Sequence, residues 1–171
     1  LAQGASTVAA EGVPLTIRLT ARDASTGSAL AGAAVYLWHC NRDGQYSLYT
    51  IAEENYLRGV QEADDTGTVE FTSIFPGCYD GRWPHIHFEV YSSLADATTS
   101  GPIVKTSQIA LPKEACDAVY ATAGYESSVS NLSRTSLSQD MVFGDDGGIH
   151  QIASMSGDAS SGYTTALTIG V

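Results

Sequence analysis

The stretch "GRWPHIHFEVY", residues 81–91, holds two of the chain's four histidines one residue apart. As a β-strand it puts His85, His87, Glu89 and Tyr91 on one face and Ile86, Phe88 and Val90 on the other. Two imidazoles so spaced lie about 7 Å apart along a strand and can converge on one ion. Alone, His-x-His is a weak signal, more often the polar side of a half-buried strand than a metal site. Its surroundings add to it. Tyr79 lies six residues before His85, across an Asp-Gly turn that can fold it back, and Pro84 stiffens the approach to the strand. A phenol titrates near 10 (roughly), so it binds as phenolate only to a hard, highly charged cation. That chemistry points to ferric iron; zinc favours His, Cys and carboxylate. Arg82, three residues before the first His, brings a fixed cation that can face developing negative charge without ligating anything. Read without its neighbours, it is an ordinary loop arginine.

The elements that must hold these groups read as strands. "PLTIRLTA" and "GTVEFTSI" alternate, "AAVYLWHC" is apolar enough to be buried on both faces, and "SQIAL" and "TTALTIGV" complete the set. Turn signals separate them at 42–44, 64–67, 76–77 and 144–148. Only "LPKEACDAVYAT", 111–122, suggests a helix, with Pro112 near its start. "SSVSNLSRTSLSQ" reads as a Ser-rich loop anchored by Val129, Leu132 and Leu137. The expected fold is all-β: a single β-sandwich domain over residues 1–171 with one short helix and long loops.

Composition narrows the partners. Against 19 Asp+Glu stand 8 Lys+Arg, a net charge of −11, so neither nucleic acid nor an anionic membrane surface is an expected partner. No apolar stretch is long enough to span a bilayer as a helix. The chain starts at Leu1 with no cationic leader, which suggests a processed chain, and its low Lys content leans towards a secreted protein. Cys40, Cys78 and Cys116 allow one disulfide with one thiol left over, or three buried thiols.

"PGCYDGRWPHIHFEVY" resembles the metal-binding segment of the intradiol ring-cleavage dioxygenases, the family of the protocatechuate and catechol dioxygenases. Their pattern is P-G-x-Y, a variable loop, then Arg three residues before H-I-H-F, which maps to Tyr79, Arg82, His85 and His87. A second tyrosine ends W-x-x-x-x-x-G-x-Y; in "LWHCNRDGQYSLY" it is Tyr46, with Tyr49 too far from Gly44. "KTSQIALP" resembles the segment that places a glutamine near the iron, here Gln108. The short loop between Tyr79 and His85 is similar to that of a secreted, single-domain branch, and a further domain outside this chain fits that likeness. The helical dimerisation region of the catechol dioxygenases is missing, which implies an open, shallow site.

The resemblance implies non-haem Fe(III) held by Tyr46, Tyr79, His85 and His87. It implies a catechol that binds as a dianion while Tyr79 departs, O2 as cosubstrate, and ring cleavage between the hydroxyls to a cis,cis-muconate-type diacid. Arg82 would stabilise negative charge, Gln108 would hydrogen-bond in the pocket, and Trp83 and Tyr49 would be ring-stacking walls. Other readings compete. A cupin also has His-x-His on a β-fold, but wants a Glu beyond Glu89 and leaves both tyrosines and Arg82 unexplained. A copper–zinc superoxide dismutase-like sandwich needs more than four histidines. A non-catalytic immunoglobulin-like or transthyretin-like binding module needs no such donor set. His39 is expected in the core, His150 in solvent, and Tyr36, Tyr91 and Tyr163 in packing. Arg58 and Arg134 are expected to fix loops. Glu89 is either an outer partner of His87 or exposed, with exposure preferred.

Overall fold

The computed structural model describes residues 9–171. Eight strands form two four-stranded sheets. The first has the order β4 (Thr68–Ile74), β1 (Pro14–Arg22), β8 (Gly162–Gly170), β7 (Ser154–Asp158). The second runs β3 (Arg58–Glu62), β2 (Ala34–Trp38), β5 (His85–Tyr91), β6 (Ile103–Ala110). Pairing is antiparallel except between β1 and β8.

The alternation in the sequence explains which faces meet. Leu15, Ile17 and Leu19 of β1 and Val69 and Phe71 of β4 point inwards from one sheet. Val35 and Leu37 of β2, Ile86, Phe88 and Val90 of β5 and Ile109 of β6 meet them from the other. Burying a side chain of this size contributes about 1.5–3 kcal/mol, so the paired faces fix strand register. The same register sends His85 and His87 to the outer face of the second sheet.

Three short helices close the structure: α1 (Leu94–Thr98), α2 (Lys113–Tyr120) and α3 (Glu126–Leu132), with a 3-10 turn at Leu137–Gln139. The helix after Pro112 is α2, which buries Ala115, Cys116, Val119 and Tyr120 at helical spacing. The Ser-rich stretch is partly helical, as α3. Of its expected anchors, Leu132 is buried and Leu137 packs against the core, but Val129 is 53% exposed and Ser128 is buried in its place. Ser128 earns that position by hydrogen bonding, which hydrophobicity does not reveal. The three cysteines are buried free thiols.

The helices tie down the turn at residues 75–78, which leads into Tyr79. Tyr125 donates from its hydroxyl to the Phe75 carbonyl (2.8 Å) and accepts from the Val13 amide (3.0 Å). Tyr120 donates to the Pro76 carbonyl at 3.0 Å and stacks on Tyr125. Tyr125→Phe removes one hydroxyl and orphans two buried backbone groups. It is expected to destabilise the fold by about 1–3 kcal/mol, read from urea unfolding, without altering the outer face of the second sheet.

Candidate metal centre

Two backbone loops and one strand bring four donor atoms together. Tyr46 follows β2 in a tight loop in which Asn41 Oδ1 accepts from the amides of Asp43 (3.0 Å) and Gln45 (2.9 Å). Gly44 there has φ 78°, and a Cβ on it would stand 2.9 Å from the Cβ of Tyr79. Gly77 presses against the same loop, where its amide donates to the Asn41 carbonyl at 3.0 Å and a Cβ would run into the Arg42 carbonyl. The glycines of G-x-Y and P-G-x-Y are therefore what let the two tyrosine loops pack backbone to backbone.

Tyr46 Oη lies 3.3 Å from Tyr79 Oη, 3.2 Å from His85 Nε2 and 3.1 Å from His87 Nε2. His85 Nε2 is 3.1 Å from both Tyr79 Oη and His87 Nε2. Donors that share one cation at about 2.0–2.2 Å adopt separations of this size. His85 Nδ1 lies 2.6 Å from the Trp83 carbonyl, which can only accept, so Nδ1 carries the proton and Nε2 turns a lone pair inwards. His87 is held by its stack on Trp38, with ring centroids 4.7 Å apart and 7° between planes.

Electrostatics favours neutral imidazoles. Burial, and then the charge of Arg82, pushes His85 down to about 3 and His87 to about 4. Burial raises both phenols, Tyr46 well above the usual range. For Tyr79 the hydrogen bond from Tyr46 and the charge of Arg82 oppose that rise. Two phenols and two neutral imidazoles, with no carboxylate or thiol among the four, fit a hard trivalent cation. Among the described residues no group of three or more His, Cys, Asp and Glu could hold a metal, so tyrosine is needed to complete a site.

Arg82 stands beside this point. Its Nη1 is 3.5 Å from His85 Nε2, and its Nη2 donates to Gln108 Oε1 at 2.6 Å. Gln108 is the cross-strand partner of His87. The residue that sequence reasoning missed is Asp140. Its fully buried carboxylate accepts from Arg82 Nε (2.9 Å), the Trp83 amide (2.7 Å) and the Val142 amide (2.8 Å). No spacing rule marks an aspartate in "SLSQDMVF", though a carboxylate followed by apolar residues was a usable hint. Ser128 and Asn131 were missed too. Ser128 Oγ accepts from the Cys78 amide at 2.9 Å, and Asn131 donates to the Cys78 carbonyl at 2.8 Å, so α3 carries the Tyr79 loop.

Other expectations are settled by position. Trp83 is 5% exposed and donates to the Leu111 carbonyl, so it packs in the core and is no substrate wall. Tyr49 is 72% exposed and sets its ring edge-on to Tyr46. His39 is buried between the Cys40 carbonyl and Ser73, and His150 is exposed. Glu89 is partly buried and accepts from Tyr91, with no bond to His87. Arg58 and Arg134 fix the loops of Tyr46 and Tyr79, through Ser47 and through Asp80 with Asn131.

Burial alone pushes the Asp140 carboxyl up, but the hydrogen bonds from Arg82, Trp83 and Val142 outweigh it and hold it below the usual range. A depressed folded-state value means stability present above about pH 4 and lost as pH falls through the folded value. Asp140→Ala strands the Arg82 guanidinium, only 12% exposed, and is expected to cost about 3–5 kcal/mol at neutral pH. Asp140→Asn is expected to be less stable than wild type at pH 7. That gap closes as both are unfolded at progressively lower pH.

Comparison with known proteins finds several similar chains. Residues 8–84 match the family model described as Dioxygenase, which takes in Tyr46, Tyr79 and Arg82. The chain is 38% identical over 61 residues to the chlorocatechol 1,2-dioxygenase of Rhodococcus opacus, covering 34% of this chain and 23% of that protein. It is 31% identical over 96 residues to that of Pseudomonas putida, covering 45% and 36% respectively. The chain thus spans well under half the length of these curated relatives. An intradiol ring-cleavage dioxygenase from Tetranychus urticae superposes with a TM-score of 0.80 at 25% identity, over 94% of this chain and 81% of that one. The dioxygenase domain of a carbohydrate-binding fusion from Streptomyces sp. SirexAA-E shares the fold, with a TM-score of 0.64 at 20% identity over 97% and 84%. Motif spacing, aligned sequence and sandwich all point the same way: the chain is similar to the intradiol ring-cleavage dioxygenases.

Proposed function

We propose that this chain is a non-haem ferric dioxygenase that cleaves a catechol-type ring between its two hydroxyls, inserting both atoms of O2 to give a cis,cis-muconate-type diacid. The observation that carries the reading is the meeting of Tyr46 Oη, Tyr79 Oη, His85 Nε2 and His87 Nε2, with five of the six distances among them between 3.1 and 3.3 Å and Arg82 beside them. A cupin or a binding module has no use for paired phenols at such a point.

Ferric iron bound there would supply a hard electrophilic centre that chelates both hydroxyls of a catechol and opens the ring carbons to O2. The protein's part is binding, proton transfer and charge. Tyr79 Oη would take the proton of one hydroxyl, in keeping with the resemblance that marks Tyr79 as the departing ligand. Its loop suits release, because it hangs from α3 by side-chain bonds to Cys78 and is not part of a strand. Tyr46 and the two histidines would stay. Arg82, pinned by Asp140 and Gln108, would hold a fixed positive charge against the anionic ring oxygens without reorganising during reaction. Gln108 uses its amide oxygen on Arg82, which leaves its NH2 free to donate to a substrate oxygen.

Protein loaded with Fe(III) is expected to be red to purple from tyrosinate-to-iron charge transfer, and to consume O2 in step with loss of catechol. Tyr46→Phe and Tyr79→Phe should each weaken the visible band. Arg82→Gln should keep colour while kcat/KM falls by about 10²–10³. An iron-loaded protein that stays colourless and takes up no O2 with any catechol overturns the reading.

A further inference from the structure

Arg58 has no catalytic assignment, yet it sits at the rim of the same centre. Strand register places it there. Arg58 pairs with Trp38, Trp38 with His87 and His87 with Gln108, so the four side chains form one row across the outer face of the second sheet. Neighbouring strands are about 4.8 Å apart, so Arg58 and His87 are separated by about 10 Å of backbone, with Trp38 between them. The guanidinium carbon lies 5.0 Å above the ring of Tyr49, and Tyr49 is edge-on to Tyr46.

What Arg58 lacks is a counter-ion. Arg82 is matched by Asp140, and Arg134 by Asp80. Among the described residues no carboxylate pairs with Arg58. It donates to neutral oxygens: from Nε and Nη2 to Ser47, and from Nη1 to the Tyr36 hydroxyl at 3.2 Å. Guanidinium has five N–H groups, so one on each terminal nitrogen is left over, the number a carboxylate needs. In a chain of net charge −11, an unmatched guanidinium at the rim of the centre is the local feature that favours an anion.

We infer that Arg58 is a specificity-determining residue that binds the carboxylate of a catechol carrying an acidic side chain, with the ring laid from His87 past Trp38. The distance suits an acid one ring plus a short side chain away from the chelating hydroxyls. This rests on the catechol reading above and adds the class of side chain. Arg58 also explains the exposed Tyr49, which it holds over the Tyr46 loop as a wall for the incoming ring.

The test pairs 3,4-dihydroxycinnamate with its neutral methyl ester on the iron-loaded full chain, measuring O2 uptake and, separately, equilibrium binding from the visible band. The acid is expected to be preferred in wild type, and that preference to weaken as salt is added. Arg58→Gln is expected to lower the acid-to-ester ratio by about tenfold or more, in kcat/KM and in binding alike. Arg58→Lys should keep part of it. An unchanged ratio in an Arg58→Gln protein with wild-type iron content overturns the inference. Should that variant lose iron, a wild-type acid preference that is absent or indifferent to salt overturns it. Without O2 uptake from either compound, the binding ratio alone decides the role of Arg58, and the catechol activity stands or falls separately on the wider set of catechols.

Discussion

The Asp140 carboxylate is the constraint on which the site depends. It is buried with no exposed side-chain surface, and it gathers a guanidinium and backbone amides from two chain segments far apart in sequence. Through Arg82 it orients a cation that stands beside the four donors. Through the Trp83 amide it sets where the chain turns into His85, and the Trp83 carbonyl in turn fixes the tautomer of His85. A buried charge pair is a poor source of net stability, because desolvating both partners offsets most of their attraction. Its value here is geometric. With the pair in place, Arg82 has one direction to point.

The sheet does two jobs with one alternation. Ile86, Phe88 and Val90 build the core, and the intervening residues of the same strand present His85 and His87 outwards. A slip of one residue in the pairing of β5 would send imidazoles to the core and apolar side chains to the outer face. The hydrophobic effect therefore enforces the donor register, and the centre needs no separate device to align its histidines. The tyrosines come from loops, and there close contact between glycine backbones supplies the precision that strand pairing gives the histidines.

What was legible in the sequence follows from that division. Strands with one apolar face announce themselves by period, so β1, β4 and β5 were readable. Tyr79, His85 and His87 could be singled out because a turn and a strand hold them in one short stretch, whereas Tyr46 came only from the family resemblance, and Arg82 read by itself was an ordinary loop arginine. β7, Ser154–Asp158, carries no such period, since it is an edge strand with mostly exposed side chains. The helix α3 was hidden by serines, which favour caps and turns in isolation and become helical here by capturing the Cys78 backbone. Asp140 was hidden for a related reason. A carboxylate is buried only with its partners, and two of those, Arg82 and Trp83, lie more than fifty residues away in the chain.

The three cysteines bear on how the protein would live with oxygen. Cys40 and Cys78 flank the two tyrosine loops, donating to the Gly77 and Arg82 carbonyls. Burial, first among the causes, pushes both thiols up to about 12. At neutral pH roughly one molecule in 10⁵ then carries the thiolate, the form that oxidants attack. The sulfur beside the two tyrosine loops is thus held in its least reactive state. The packing that holds the tyrosines also insulates the site's own scaffold from the chemistry it would perform.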